Sequence, residues 1–486
     1  MKNEIHSVKY NVVMNIILTV SNLLYPIITF PYVSRVLLVE ANGKVNFAAS
    51  VANYFMLVAS LGIPTYGVRA CAKVRDNRDE LSKTAQEILI INFVATIMVL
   101  LTYIICVLTI PRFSSDKILF FIEGINIVLN MFGANWLYQA LEQYDYITIR
   151  SVIFKCISIL LMFLLVHKPS DYRQYAFTFV FASVGSNILN FIRLHRYISF
   201  KRFTDYRFKY HLKPILILFA QNITVSIYTN LDTVMLGILR GNIQVGLYTA
   251  AVKCKGLLTG IVVSLGNVLL PRMSYLVKNK MKAEFEKYMI LAINTVLFMS
   301  FPIVIYFIYS SKDCILLLAG NDFIGAISAM QIITFAVIPN GLTGIFGVQI
   351  LTSLDREIQV LYSVIVGAVS DFILNILLIP SMGAKGAAIA TTIAEFLVLF
   401  TQIILGKDII TQIYKNLKLF EYLILSIVSI IPIVILNHFY RPIAFINLVI
   451  TSVIYFGLYI VILYFKKDTL LYKLLDNKIT YKLIRK

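Results

Sequence analysis

Ile88-Leu-Ile-Ile-Asn-Phe-Val-Ala-Thr-Ile-Met-Val-Leu-Leu-Thr-Tyr-Ile-Ile-Cys-Val-Leu-Thr-Ile110 runs for 23 residues without a charge. At 1.5 Å per residue such a helix reaches across a bilayer core of about 30 Å. Polar sequence bounds it on both sides, Arg75-Asp-Asn-Arg-Asp-Glu80 before and Pro111-Arg-Phe-Ser-Ser-Asp116 after. The same pattern recurs from end to end. Spans fall roughly at 10–36, 46–68, 86–110, 118–140, 148–167, 175–195, 214–239, 246–270, 288–310, 325–350, 358–379, 386–406, 420–438 and 443–465, about fourteen in all. The fold class is therefore all-α and polytopic. A closed barrel, the other structure that can cross lipid, would show ten-residue alternating strands, and this chain lacks them.

Composition agrees. Hydrophobic residues make up 59% of the chain and charged residues 14%, with a mean hydropathy of +0.81. A soluble domain carries about 25% charge. The net charge of +19 is a topology signal rather than a nucleic-acid footprint. The side shared by both termini holds 32 of the 44 Lys and Arg residues, counting Arg150 and Lys155 at the near end of the fifth span. The opposite side holds 10, and Lys253 and Lys255 lie within the eighth span. The positive-inside rule places both termini in the cytoplasm, with basic loops near anionic headgroups. No nucleic-acid partner is expected.

The longest link on that side, Arg193 to Lys213, is basic and separates six spans from eight. The two parts echo each other. Gly43-Lys-Val-Asn-Phe-Ala opens the second span and Gly246-Leu-Tyr-Thr-Ala-Ala the eighth, an offset of 203. His167-Lys-Pro-Ser and Ile379-Pro-Ser-Met repeat at an offset near 210. The expected organisation is two pseudo-symmetric six-helix lobes in parallel orientation plus two C-terminal helices: an N-lobe at 1–213, a C-lobe at 214–409, and a last pair with a basic tail at 410–486. Transporters built from repeats bind cargo at the repeat interface. Every connection opposite the termini is short, the longest running from Ser311 to Ile324. The first span shows no cleavage site and is expected to remain as an anchor.

Several spans carry a polar stripe at helical spacing, where residues share a face. The first holds Asn11, Asn15, Asn22, Pro26 and Thr29. The second holds Asn46, Ser50, Asn53 and Ser60. The fourth holds Glu123, Asn126, Asn130 and Gly133, and the eighth Thr249, Lys253, Gly256, Gly260, Ser264 and Asn267. Such stripes either line a water-filled cavity or bond helix to helix. A charge at mid-membrane costs about 2.5–3.5 kcal/mol on insertion scales, so ionisable residues there mark function or a buried partner. Lys253, Arg35, Lys255, Asn22, Asn53 and Asn126 are the candidate cargo-binding residues. Asp232, Glu123, Asp371 and Glu395 are the candidates for coupling or charge pairing. Lys253 and Lys255 lie about 200° apart around a helix; Lys253 sits on the stripe, and Lys255 is expected to snorkel or pair with an acid. Gly256-x-x-x-Gly260 allows close helix packing. The five cysteines read as small buried residues, the five histidines as loop or interface residues. No Walker loop, metal cluster or catalytic motif is present, so neither cofactor nor enzymatic activity is expected.

Three segments carry a family resemblance: Phe30-Pro-Tyr-Val-Ser-Arg35-Val-Leu, Asn135-Trp-Leu-Tyr-Gln-Ala-Leu-Glu142-Gln-Tyr-Asp-Tyr-Ile-Thr-Ile-Arg150, and Leu231-Asp232-Thr-Val-Met-Leu-Gly237 with the Gly246 segment. Together with span count and topology they resemble the polysaccharide-export flippases of Wzx type. These belong to the superfamily that includes multidrug and lipid-linked peptidoglycan-precursor exporters. Leu38 stands where that family often has Gly, and so does Ala140 before Leu-Glu. The resemblance implies a bacterial cytoplasmic-membrane flippase working by alternating access. Its cargo would be an undecaprenyl-diphosphate-linked oligosaccharide for surface polysaccharide biosynthesis, with membrane lipids, a polysaccharide polymerase and glycosyltransferases as prospective partners. The cations would offset the diphosphate. The rivals are a cation-coupled multidrug exporter, a membrane polymerase and a passive scaffold. The first implies a carboxylate in the first span, where residues 10–36 have none. The second needs large external loops, and the third needs no buried charges.

Overall fold

The structure is a computed structural model that describes residues 7–264, 270–440 and 442–475. Asn267, at the end of the eighth-span stripe, lies outside them. Among the described residues the chain is helical, and twelve stretches are long and apolar enough to cross a membrane. One of these begins with the 53-residue helix Val8–Ser60. At 1.5 Å per residue that is about 80 Å, far more than one crossing. Its backbone breaks at Leu38, with φ 59° and ψ −177°, so it holds the first two spans. The seventh predicted span is the 32-residue helix Phe208–Leu239. With these the expected fourteen crossings are all accounted for.

Local chemistry sets the boundaries. Ser7 caps the first helix by accepting from the Tyr10 amide at 3.3 Å. Asn77 caps Arg78–Thr109 by accepting from the amides of Asp79 and Glu80, and those two acids favour the positive end of the helix dipole. Pro111 ends the same span and starts a short turn, as expected where a residue cannot continue the ladder. Apolar faces are widely exposed, with Leu160, Leu164, Leu377, Ile404 and Val453 each more than 60% accessible. In water this would be an aggregation hazard; in a bilayer it is the lipid contact.

By contact the chain divides into two compact units, residues 1–246 and 247–486. In the first, Val8–Ser60 packs against Arg78–Thr109, Lys117–Gly133, Tyr144–Leu165 and Phe208–Leu239. Its core gathers Leu81, Ile88, Trp136, Leu137, Tyr138 and Ile215. In the second, Glu357–Met382 packs along Ala384–Leu405, and Leu419–Phe439 and Ala444–Phe465 both pack on Lys282–Tyr309. Tyr306, Tyr455 and Phe456 form an aromatic knot there, with Tyr306–Tyr455 centroids 5.3 Å apart. The Tyr306 hydroxyl donates to Leu448 O at 2.9 Å, so a polar group at membrane depth is satisfied.

The connection from Ser311 to Ile324 carries structure of its own: Ser311–Leu318 is a helix packed on Ala444–Phe465, and buried Asp313 accepts from Asn447 at 2.7 Å. One expectation changes. The cysteines are all free, but Cys156 is exposed; only three of the five are the buried small residues that composition suggested.

Candidate functional site

Lys155 is the twelfth residue of the 22-residue helix Tyr144–Leu165, half-way along it. Its ammonium donates to Ser21 Oγ at 3.0 Å and to Asn22 Oδ1. Both partners lie midway between the start of the first helix and its break at Leu38. Asn22 is exposed and Lys155 half-buried. Two features follow. The cation is held by a hydroxyl and an amide, and no carboxylate among the described residues pairs with it. The face that carries it is open at mid-membrane depth, where an open charge is costly against lipid.

Arg150, one helical turn and a half earlier, shows the contrast. It is buried, donating to Ser186 O at 2.8 Å and to Asn135 Oδ1 at 2.9 Å. Asn190 donates to the same Asn135 oxygen at 2.9 Å, and Tyr138 donates to Asn190 O at 2.6 Å. This cation is closed off and ties three helical segments together. Within the same motif Trp136 packs against Gly67, and Glu142 pairs with Arg75 at 2.6 Å. The hydrogen bond with Glu142 raises the Arg75 guanidinium above its ordinary value. The segment Asn135–Arg150 is therefore an architectural unit.

The other sequence candidates sort as follows. Glu123 is fully buried and accepts from Asn126 at 3.0 Å. Asn130, on the same stripe, donates to Ser60 at 2.7 Å, so the stripes of the second and fourth spans bond to each other in part, as the helix-bonding alternative requires. Arg35 is exposed and donates to Pro31 O at 2.6 Å, and Asn53 is exposed. Asp232 is buried near the end of Phe208–Leu239. In the second unit Lys255 lies 3.9 Å from Glu395, both largely buried. Asp371 is buried and accepts from Asn375 at 3.1 Å. Lys253 is half-buried at the middle of Asn242–Ser264. Gly256 and Gly260, on its stripe, have no atom among the described residues within 4 Å of where a Cβ would stand.

Of the two roles expected for the histidines, His211 takes the interface one. It is buried between Glu87, at 2.7 Å from its Nε2, and the Tyr66 hydroxyl, at 2.7 Å from its Nδ1. Sequence reading passed over Lys155 because it stood close to a predicted boundary and was grouped with the loops. Its distance from that boundary, two turns inside the span, was the available signal.

The family model described as "Polysaccharide biosynthesis protein" matches residues 8–277, more than half of the chain. The chain belongs to this family. Among relatives of the polysaccharide biosynthesis family, the protein named "Putative O-antigen transporter" of Escherichia coli K12 is 22% identical over 395 residues, covering 81% of this chain and 95% of that one. A protein of the same name from Shigella dysenteriae is 24% identical over 284 residues, covering 58% of this chain and 71% of its own length. Among solved structures, the lipid II flippase MurJ in an inward closed conformation superposes with a TM-score of 0.77 at 17% identity, over 94% of this chain and 99% of that one. An inward-facing multidrug transporter of the MATE family gives 0.57 at 13% identity, over 83% and 99%. The fold is that of these solved transporters, and the chain is a polytopic helical membrane protein of the polysaccharide biosynthesis family.

Proposed function

We propose that the protein flips an oligosaccharide carried on a polyprenyl diphosphate from the cytoplasmic to the outer leaflet of a bacterial membrane, by alternating access. The observation that carries this reading is Lys155 at mid-helix, charged, half-open and held by Asn22 and Ser21. A diphosphate needs a cation that no carboxylate has already neutralised. Lys253, half-buried at the middle of Asn242–Ser264, is a second candidate for the same cargo. Arg35, Asn53 and Asn22 supply further donors to phosphate and hydroxyls. Lys255 is the poorer cation, because Glu395 faces it. Glu123, Asp232, Asp371 and Glu395 are internal partners or coupling groups, and Asn126 belongs with Glu123.

The family match and the relatives named as O-antigen transporters support the cargo class. We place both termini in the cytoplasm from the charge bias, keep 1–213 and 214–409 as the two repeat lobes with 410–486 as the added helix pair and tail, and assign no catalytic step. Glycosyltransferases would supply the cargo and a polymerase would consume it.

The test is ligand-induced thermal stabilisation of the purified protein. A diphosphate-linked oligosaccharide is expected to raise the unfolding midpoint, and the same glycan on an uncharged lipid to do so much less. Lys155→Gln is expected to erase most of the difference, and Lys155→Arg to keep it. Stabilisation by lipophilic organic cations with none by the diphosphate lipid would support the multidrug alternative instead.

A further inference from the structure

The weak sequence echo at an offset of 203 becomes a physical contact at one rim of the first unit, the rim remote from residue 8. A Cβ added to Gly43 would stand 1.8 Å from Asn242 O and 2.9 Å from Gly246 N. A Cβ added to Gly246 would stand 2.3 Å from Val39 O. Gly43 and Gly246 are 203 apart, and so are Val39 and Asn242. Each glycine thus meets the carbonyl four residues before its counterpart. The contact is reciprocal, as an interface between two copies of one element is. Only glycine on both sides lets the backbones come this close.

Side chains tie the same place. Arg112, from the turn after Arg78–Thr109, donates its Nε to Gly237 O at 2.9 Å and its Nη2 to Asn242 Oδ1 at 2.7 Å. Its guanidinium lies 5.3 Å from the Phe47 ring centroid, and Phe47 packs on Gly237. These bonds are few, polar and at a rim, so they can be exchanged for water at small cost, whereas a buried apolar seam could not.

We propose that this pair of repeat-related turns is a latch: the Gly43 and Gly246 backbones close it and Arg112 holds it, and it must part for cargo to leave on that side. The inference deepens the alternating-access reading and rests on it.

The test uses the full chain in proteoliposomes, with the five native cysteines replaced and Ser50→Cys as reporter, buried less than two turns behind Asn46 on the same helix. An impermeant maleimide is added on the side opposite the termini, and the labelling rate is read. Gly43→Ala and Gly246→Ala are each expected to speed labelling by about tenfold, and by the same factor as each other, because the contact is reciprocal. Arg112→Gln, which adds no bulk and so keeps the test usable if an alanine variant fails to fold, is expected to speed it by about tenfold through loss of charge-assisted hydrogen bonds. Gly457→Ala, where a Cβ meets nothing within 4 Å, is expected to leave the rate unchanged. Folded Gly43→Ala and Arg112→Gln proteins that label at the parent rate would overturn the latch, as would equal acceleration by Gly457→Ala. The readout needs no cargo, so its failure is distinguishable from failure of the cargo assignment.

Discussion

Asn126 donates its side-chain amide to Glu123 Oε2 at 3.0 Å, one turn away on the same helix, while Glu123 Oε1 is buried with no hydrogen-bond partner among the described residues. The pair fixes Glu123 as an internal group, with no exposed surface to offer a ligand. Glu123→Gln keeps an acceptor for Asn126 and removes a group whose ionisation burial penalises, so the thermal midpoint in detergent is expected to hold or rise. Glu123→Ala strands the Asn126 donor and is expected to cost about 1–3 kcal/mol. A midpoint that falls equally for both would mean that the carboxyl itself is structural.

Leu38 occupies a backbone region, φ 59° and ψ −177°, that is nearly exclusive to glycine. The helix break it makes is what separates the first two spans. Leu38→Gly is expected to stabilise the protein by about 1 kcal/mol net, the relieved strain exceeding the added chain entropy. Thermal or denaturant unfolding checks the sign. The same position was the one where the sequence departed from its family's usual glycine, so the departure carries a cost.

Gly67 lies under the indole of Trp136, where a Cβ would come to 2.6 Å from the ring. The chain has one tryptophan, so its fluorescence reports this contact alone. Gly67→Ala is expected to shift the emission and to destabilise the first unit by about 1–3 kcal/mol through overpacking. Unchanged emission and midpoint would show that the indole is free to move.

Asp468 sits just beyond the last span and receives Lys418 Nζ at 2.5 Å and the amides of Leu470 and Leu471 at 2.9 and 3.0 Å. Burial alone would raise its pKa; Lys418 and those amides outweigh it and hold the carboxyl below its ordinary value. A depressed folded pKa means that the bond stabilises the fold above the unfolded value, about 3.9, and ceases to as pH falls through the folded one. Asp468→Asn is therefore expected to lower the midpoint at neutral pH, with the difference from the parent shrinking as pH falls below about 4. Arg356 and Asp408, bonded at 3.0 and 2.8 Å but more exposed, are expected to contribute less.

The fourteen crossings were legible because length and hydropathy report directly on a bilayer. The 203-residue echo of Gly43 and Gly246 was legible too, and in the structure those two segments meet. The site was less so. Whether a polar residue in a span faces water or a neighbouring helix depends on helix rotation, which spacing along one helix does not give. Asn130 faced Ser60, and Lys255 faced Glu395. Lys155 escaped notice because a boundary error of a few residues moves a charge from loop to bilayer centre, and there its meaning changes altogether. Arg150, in the same span, is a cation of the opposite kind, closed in by carbonyl and amide oxygens.

The most direct measurement reconstitutes the purified protein in liposomes that hold a fluorescent diphosphate-linked oligosaccharide in one leaflet, and follows its appearance in the other. Protein-dependent exposure is expected, slowed by about tenfold in Lys155→Gln, which corresponds to about 1.4 kcal/mol on the barrier, and largely kept in Lys155→Arg. A folded, correctly inserted protein that exposes no more lipid than empty liposomes, or a Lys155→Gln protein that works at the parent rate, would contradict the account.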